Sequence, residues 1–156
     1  MLIAIDHGNK QIKTVHTQPF TSGLILGDTP GFGTDCLAYQ GKYYTLTDQR
    51  IPYRRDKTED ERFFILTLFA IAYEIEAMGR YSDTLMRIQL AVGLPPAHFG
   101  VQAKRFINYF DGRGAISFQF RGKPYAVYIE NTACFPQSFS AAVATVKNLT
   151  ASPKVL

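Results

Sequence analysis

The sequence predicts an α/β domain: a mixed, five-stranded-type sheet with flanking helices, plus a small hairpin-bearing, β-rich subdomain around residues 30–57. Three observations carry this expectation. The run from Phe63 to Tyr73, broken only by Thr67, is apolar around its whole circumference and reads as a helix covered by protein on most faces. The stretch Thr84 to Gly93, with Leu85, Met86, Ile88, Leu90, Ala91 and Val92, alternates first and then becomes fully apolar, as a strand inside a sheet does. Strand and helix patterns also interleave along the chain, an order that builds a mixed sheet with helices packed on it.

The elements follow in order. Residues 2–6 form an apolar strand, 7–10 a turn, and 11–17 a second strand with alternation. Residues 19–35 are rich in Gly, Pro, Thr and Asp and read as loop, with one short strand near Gly23 to Leu26. Cys36 to Tyr39 and Lys42 to Thr47 flank Gln40-Gly41, a hairpin whose glycine supplies positive φ. Thr58 and Glu61 have capping-box spacing, so the helix is expected over about residues 59–78, with Gly79 beyond its C-terminus. After the interior strand, Leu94-Pro95-Pro96 is expected to stop the chain, and helix to resume near Val101 to Phe110. Ala115 to Phe120 and Pro124 to Glu130 alternate around Arg121-Gly122-Lys123, a second hairpin whose Pro124 starts a strand at an edge. Pro136 then opens a small-residue helix from Gln137 to about Asn148, and Lys154-Val155-Leu156 begins another apolar run.

With 156 residues, the chain forms one ordinary domain or two small subdomains and can bury a real core. Its net charge of +4 is spread along the sequence, so no direct nucleic-acid binding is expected. The densest cluster, Arg54-Arg55-Asp56-Lys57, runs straight into Glu59-Asp60-Glu61 and reads as a solvated helix entrance. Cys36 and Cys134 lack metal-site spacing and fit reduced thiols in a cytoplasmic protein. No apolar run approaches the ~20 residues that a membrane span needs.

The chemistry is concentrated at Asp6-His7-Gly8-Asn9-Lys10 and Lys13. One reading is a β-turn in which Asn and Gly are present for backbone reasons and the lysine is solvated. The other is a phosphate site. There, Gly8 leaves room for an anion, Asn9 donates from its amide, and Lys13 brings an ammonium. In that reading Asp6 does not touch phosphate, since like charges repel, but holds a hydrated Mg²⁺ that does. His7 reads as a hydrogen-bonding turn residue, and His16 and His98 show no evident partner.

The chain resembles the N-terminal domain of the bacterial and plasmid actin-like proteins, which include plasmid-segregation ATPases. The resemblance runs through Ile3-Ala-Ile-Asp-His-Gly-Asn-Lys-Gln-Ile-Lys13, Tyr39-Gln-Gly-Lys-Tyr-Tyr44, Val92-Gly-Leu-Pro-Pro96, Phe118-Gln-Phe-Arg-Gly-Lys-Pro-Tyr125 and Phe135-Pro-Gln-Ser-Phe-Ser-Ala-Ala142. It implies an actin-like ATPase or ribonuclease H-like fold, with residues 1–156 as a single N-terminal domain. It implies Mg²⁺ and ATP, or GTP, as cofactors. Asp6 would hold magnesium through water, and Gly8, Asn9 and Lys13 would line the phosphates. Gln137 would orient the attacking water, which phosphoryl transfer requires more than it requires a strong base. The expected partners are further copies of the protein in a filament and a DNA-adaptor protein. Family members continue into a second phosphate loop and a second domain. The chain is therefore expected to be the N-terminal piece of a longer ATPase, inactive alone. Two other readings remain open at this point: an interaction module that keeps the fold without the chemistry, and a sugar- or metabolite-kinase relative.

Overall fold

The computed structural model describes residues 1–31 and 35–137. The expected small-residue helix after Gln137 and the apolar run at 154–156 lie outside the described residues. The strands are β1 (Leu2–His7), β2 (Gln11–Lys13), β3 (Phe20–Thr21), β4 (Leu24–Gly27), β5 (Cys36–Tyr39), β6 (Lys42–Leu46), β7 (Met86–Leu94), β8 (Ala115–Phe120) and β9 (Lys123–Pro136). The helices are α1 (Glu61–Ala77) and α2 (Pro96–Phe110), and a 3-10 turn at Lys57–Glu59 precedes α1.

The described strands form one mixed sheet in the order β3-β2-β1-β7-β9-β8-β5-β6-β4. The expected five-stranded unit is its first half, β3 through β9. The β5–β6 hairpin extends the same sheet, because Leu37 and Ala38 pair with Phe120 and Gln119 of β8. β1, β7 and β9 run parallel, and every other pairing is antiparallel. The steps from β1 to β7 and from β7 to β9 move the same way across the sheet. Crossovers of one hand therefore bring α1 and α2 to the same face. The core lies there: Ile3, Ile5, Ile88, Leu90 and Val92 of the central strands are buried, as are Phe64, Leu68 and Phe69 of α1 and Phe106 and Phe110 of α2.

Both hairpins close as expected. Gln40 and Gly41 have φ of 50° and 75°, and Arg121 and Gly122 have 52° and 72°, the paired left-handed values of a two-residue turn matched to strand twist. α1 ends where Gly79 adopts φ 63°, and the Arg80 amide reaches back to the Ile75 carbonyl at 3.0 Å.

Three expectations change. The capping box of Thr58 and Glu61 does not form. The Asp60 carboxylate caps α1 by accepting from the Arg62 amide at 3.0 Å, and Asp56 accepts from the Thr58 amide at 3.0 Å to cap the 3-10 turn. A carboxylate at each of the two starts supplies a stronger acceptor than the Thr58 hydroxyl, which instead donates to Asp56 at 2.6 Å. α2 begins at Pro96 rather than near Val101. Pro96 is tolerated there because the first helical amide has no partner to lose. Finally, the strand expected from Pro124 to Glu130 runs on to Pro136 as β9, and it bulges at Glu130: Ile88 pairs with Ile129 but Gln89 pairs with Asn131.

That bulge changes which residues face the helices. Before it, odd-numbered Tyr125, Val127 and Ile129 are buried; after it, the buried position is even-numbered Thr132. A strand alternates with period two, so one extra residue exchanges its faces.

Candidate functional site

The exchanged phase turns Phe135 toward the face opposite the helices, where Asp6 lies. Lys13 pairs with Asp6 across β2 and β1, Asp6 with Gly93 across β1 and β7, and Gly93 with Phe135 across β7 and β9. Residues opposite one another in a sheet share a face, so these four form one row. The row sits at the C-terminal ends of three parallel strands, the end of an α/β sheet where ligands bind. A cleft of about 230 Å³ opens over it, lined by Ala4, Asp6, Lys13, Gly93, Phe135 and Gln137 among others.

Gln137 closes the constellation. Its Nε2 donates to Asp6 Oδ1 at 2.7 Å, across 131 residues of chain. Gly93 makes this approach possible: a Cβ there would meet Gln137 Cγ at 3.1 Å and Asp6 Oδ1 at 3.9 Å. One carboxylate oxygen of Asp6 is thus engaged by an amide. Lys13 is exposed on the same face.

Gly8 and Asn9 stand apart from the cleft lining. Gly8 forms the turn itself, where a Cβ would lie 2.6 Å from the Gln11 carbonyl oxygen. Asn9 is exposed at the tip and borders a separate hollow with Arg50, Pro52 and Tyr53. The structure therefore gathers Asp6, Lys13 and Gln137 in one cleft and places Gly8 and Asn9 on the adjoining turn.

Three contacts that the sequence did not announce pin that turn. Ser22, buried, donates from its hydroxyl to the Gly8 carbonyl at 2.9 Å and from its amide to the Lys10 carbonyl at 3.1 Å. Lys57 donates its ammonium to the His7 carbonyl. The charge pattern predicts a solvated basic entrance that includes Lys57, but Lys57 is only 5% exposed, and burial lowers its pKa to about 8. Nothing in the spacing of Arg54-Arg55-Asp56-Lys57 separates the one buried cation from its exposed neighbours. A buried Ser22 inside a polar loop is equally silent in sequence.

His7 is a core residue, not a turn residue. It is fully buried against Phe106 and Phe110, with both ring centroids 5.6 Å away. Its Nε2 lies 2.7 Å from Thr67 Oγ1. Because that hydroxyl donates to the Phe63 carbonyl at 2.8 Å, it receives the Nε2 proton, and Nδ1 is left bare, without a partner among the described residues. Burial first, and the nearby Lys57 charge second, lower its pKa to about 3. His16 also has a partner after all: its Nδ1 lies 2.7 Å from Glu74 Oε2, and its amide donates to Oε1 at 2.8 Å.

Among the described residues no group of three or more His, Cys, Asp or Glu side chains could chelate a metal. The single carboxylate of Asp6, half engaged by Gln137, could hold a hydrated cation only through its water shell. No described helix is long and apolar enough to cross a membrane.

A sequence profile described as actin like proteins N terminal domain matches residues 4–139. No curated protein sequence matches the chain. Among solved structures, an AlfA filament bound to AMPPNP superposes with TM-score 0.68 at 17% identity, covering 91% of this chain and 56% of that one. A 15-stranded ParM filament from Clostridium botulinum gives TM-score 0.69 at 18% identity, with 94% and 50% coverage. The archaeal actin homologue Ta0583 gives 0.75 at 13% identity, with 94% and 49% coverage, and has also been solved in complex with ADP. At these identities the likeness concerns the fold. The chain spans about half the length of these proteins.

Proposed function

The chain belongs to the actin-like proteins, as their N-terminal domain, and from that premise we propose that its cleft holds the phosphate end of Mg-ATP in a filament-forming ATPase of DNA or plasmid segregation. The observation that carries the reading is the hydrogen bond from Gln137 to Asp6 over Gly93, at the ends of three parallel strands. A fold alone does not require a polar pair there, and a glycine that admits it has no packing purpose of its own.

Each residue then has a role that follows from its chemistry. Asp6 anchors a hydrated magnesium ion, which neutralises phosphate charge when bound. Lys13, in register with Asp6, presents its ammonium to the same phosphate oxygens. Gly8 and Asn9 supply backbone and side-chain amides from the turn. Gln137 carries one donor and one acceptor on a rigid amide, which is what orienting an attacking water in line requires. The nucleotide is ATP or GTP. Further copies of the protein and a DNA-adaptor protein are the proposed partners, with contacts that repeat head to tail and do not close.

The full-length protein tests the division of labour. Asp6→Ala should abolish hydrolysis. Gln137→Ala should lower the turnover rate by about tenfold to a hundredfold while leaving nucleotide affinity within about threefold of wild type. Equal loss of binding in both variants, measured by titration calorimetry beside phosphate release, would overturn the separate roles.

A further inference from the structure

We propose that Lys57 is a positioning residue of the phosphate turn: its buried ammonium grips the His7 carbonyl, aims the His7–Gly8 peptide, and supplies positive charge that a bound phosphate completes. The inference rests on the nucleotide reading above and adds to it a residue from outside the turn and the cleft.

The geometry is specific. Lys57 reaches from the 3-10 turn before α1 to the last residue of β1, one position beyond Asp6. It is buried, its nitrogen lies 5.4 Å from the Phe63 ring centroid, and its one polar contact among the described residues is the His7 carbonyl. No carboxylate of the described residues pairs with it; Asp6 is the acidic group whose field it feels. An ammonium held without a counter-ion in such a place is costly, and a neutral side chain of the same length would fill the space at lower cost.

What the charge does follows from the peptide it holds. The chain has no cis peptide among its described residues, and a trans peptide is planar with its carbonyl and its N–H pointing opposite ways. With the His7 carbonyl drawn toward Lys57, the Gly8 N–H is turned away from Lys57. The ammonium also polarises the peptide, which strengthens that N–H as a donor. A turn amide strengthened in this way is the group that receives an anionic oxygen. Ser22 holds the Gly8 and Lys10 carbonyls independently, so the turn keeps its shape when Lys57 is changed.

The test uses the full-length protein, thermal unfolding with and without Mg-ATP, and titration calorimetry with Mg-ATP. Lys57→Met should leave the nucleotide-free Tm equal to or above wild type and weaken ATP affinity by about tenfold, the order of one charge-assisted hydrogen bond. Lys57→Arg, which keeps the charge, should recover affinity to within about threefold of wild type, and Lys57→Gln, which keeps a donor without the charge, should not. Wild-type affinity in Lys57→Met or Lys57→Gln would overturn the proposal, as would a Lys57→Arg variant that unfolds like wild type yet binds no better than Lys57→Met. Absence of any ATP effect on the wild-type protein would sink the nucleotide reading itself, and this inference with it.

Discussion

Asp6 and His7 are adjacent in sequence and belong to opposite faces of β1. The alternation of a strand sends Asp6 to the open cleft and His7 into the core between α1 and α2. The sequence made Asp6, Lys13 and Gln137 legible as a group only through family resemblance, because their proximity depends on pairings of strands far apart in the chain. Lys57 and Ser22 were not legible at all, since burial is decided by tertiary packing. The His7 environment has a measurable consequence. The unfolded chain binds a proton at this imidazole below about pH 6.5, whereas the folded chain resists it until about 3. Stability from this group is therefore complete above about 6.5 and lost as pH falls through that window. Between about pH 7 and about pH 5 the loss should be ~2 kcal/mol. His7→Leu should flatten this part of the pH profile in denaturant unfolding, since Thr67 keeps its bond to the Phe63 carbonyl. An equally steep profile in the variant would place the acid sensitivity elsewhere.

At the scale of elements, what was local was legible. The hairpin turns, the apolar helix α1 and the interior strand β7 follow from periodicity and turn chemistry, which neighbouring residues determine. What failed was competition among acceptors and the bridging of gaps. Two aspartates displaced the capping box, and β9 continued through a polar stretch because β7 pairs with it from Val127 to Pro136. The corner between β3 and β4 shows how tightly the elements meet. A Cβ on Gly23 would sit 2.2 Å from the Gln49 carbonyl oxygen and 2.5 Å from that of Thr47. Both obstacles are backbone, and Gly23 itself accepts from the Thr47 amide at 3.1 Å. Gly23→Ala should cost about 1–3 kcal/mol in urea unfolding, the range of forced backbone displacement in a packed site. A cost below about 0.5 kcal/mol would mean that the corner relaxes freely.

At the scale of the molecule, α1 and α2 cover one face of the sheet, and the cleft lies on the other. Among the described residues, those that line it belong to the sheet and its immediate flanks and form a single wall. A ligand on one wall keeps most of its hydration while still losing its freedom to translate and rotate. The 156-residue chain alone is therefore expected to bind Mg-ATP more weakly than micromolar in titration calorimetry; micromolar affinity would overturn this expectation. The bulge at Glu130 bears on how such a protein tolerates insertions and deletions. Because it sets the parity of β9 from Asn131 to Pro136, losing one codon near Glu130 is not a small change at a strand edge. It would direct Phe135 toward the core, lead the chain into Gln137 from the other side of the sheet, and separate that residue from Asp6 without altering either. Length in this short stretch should therefore be inherited more strictly than residue identity, and aligned relatives should keep the count between Ile129 and Gln137 even where they share few residues.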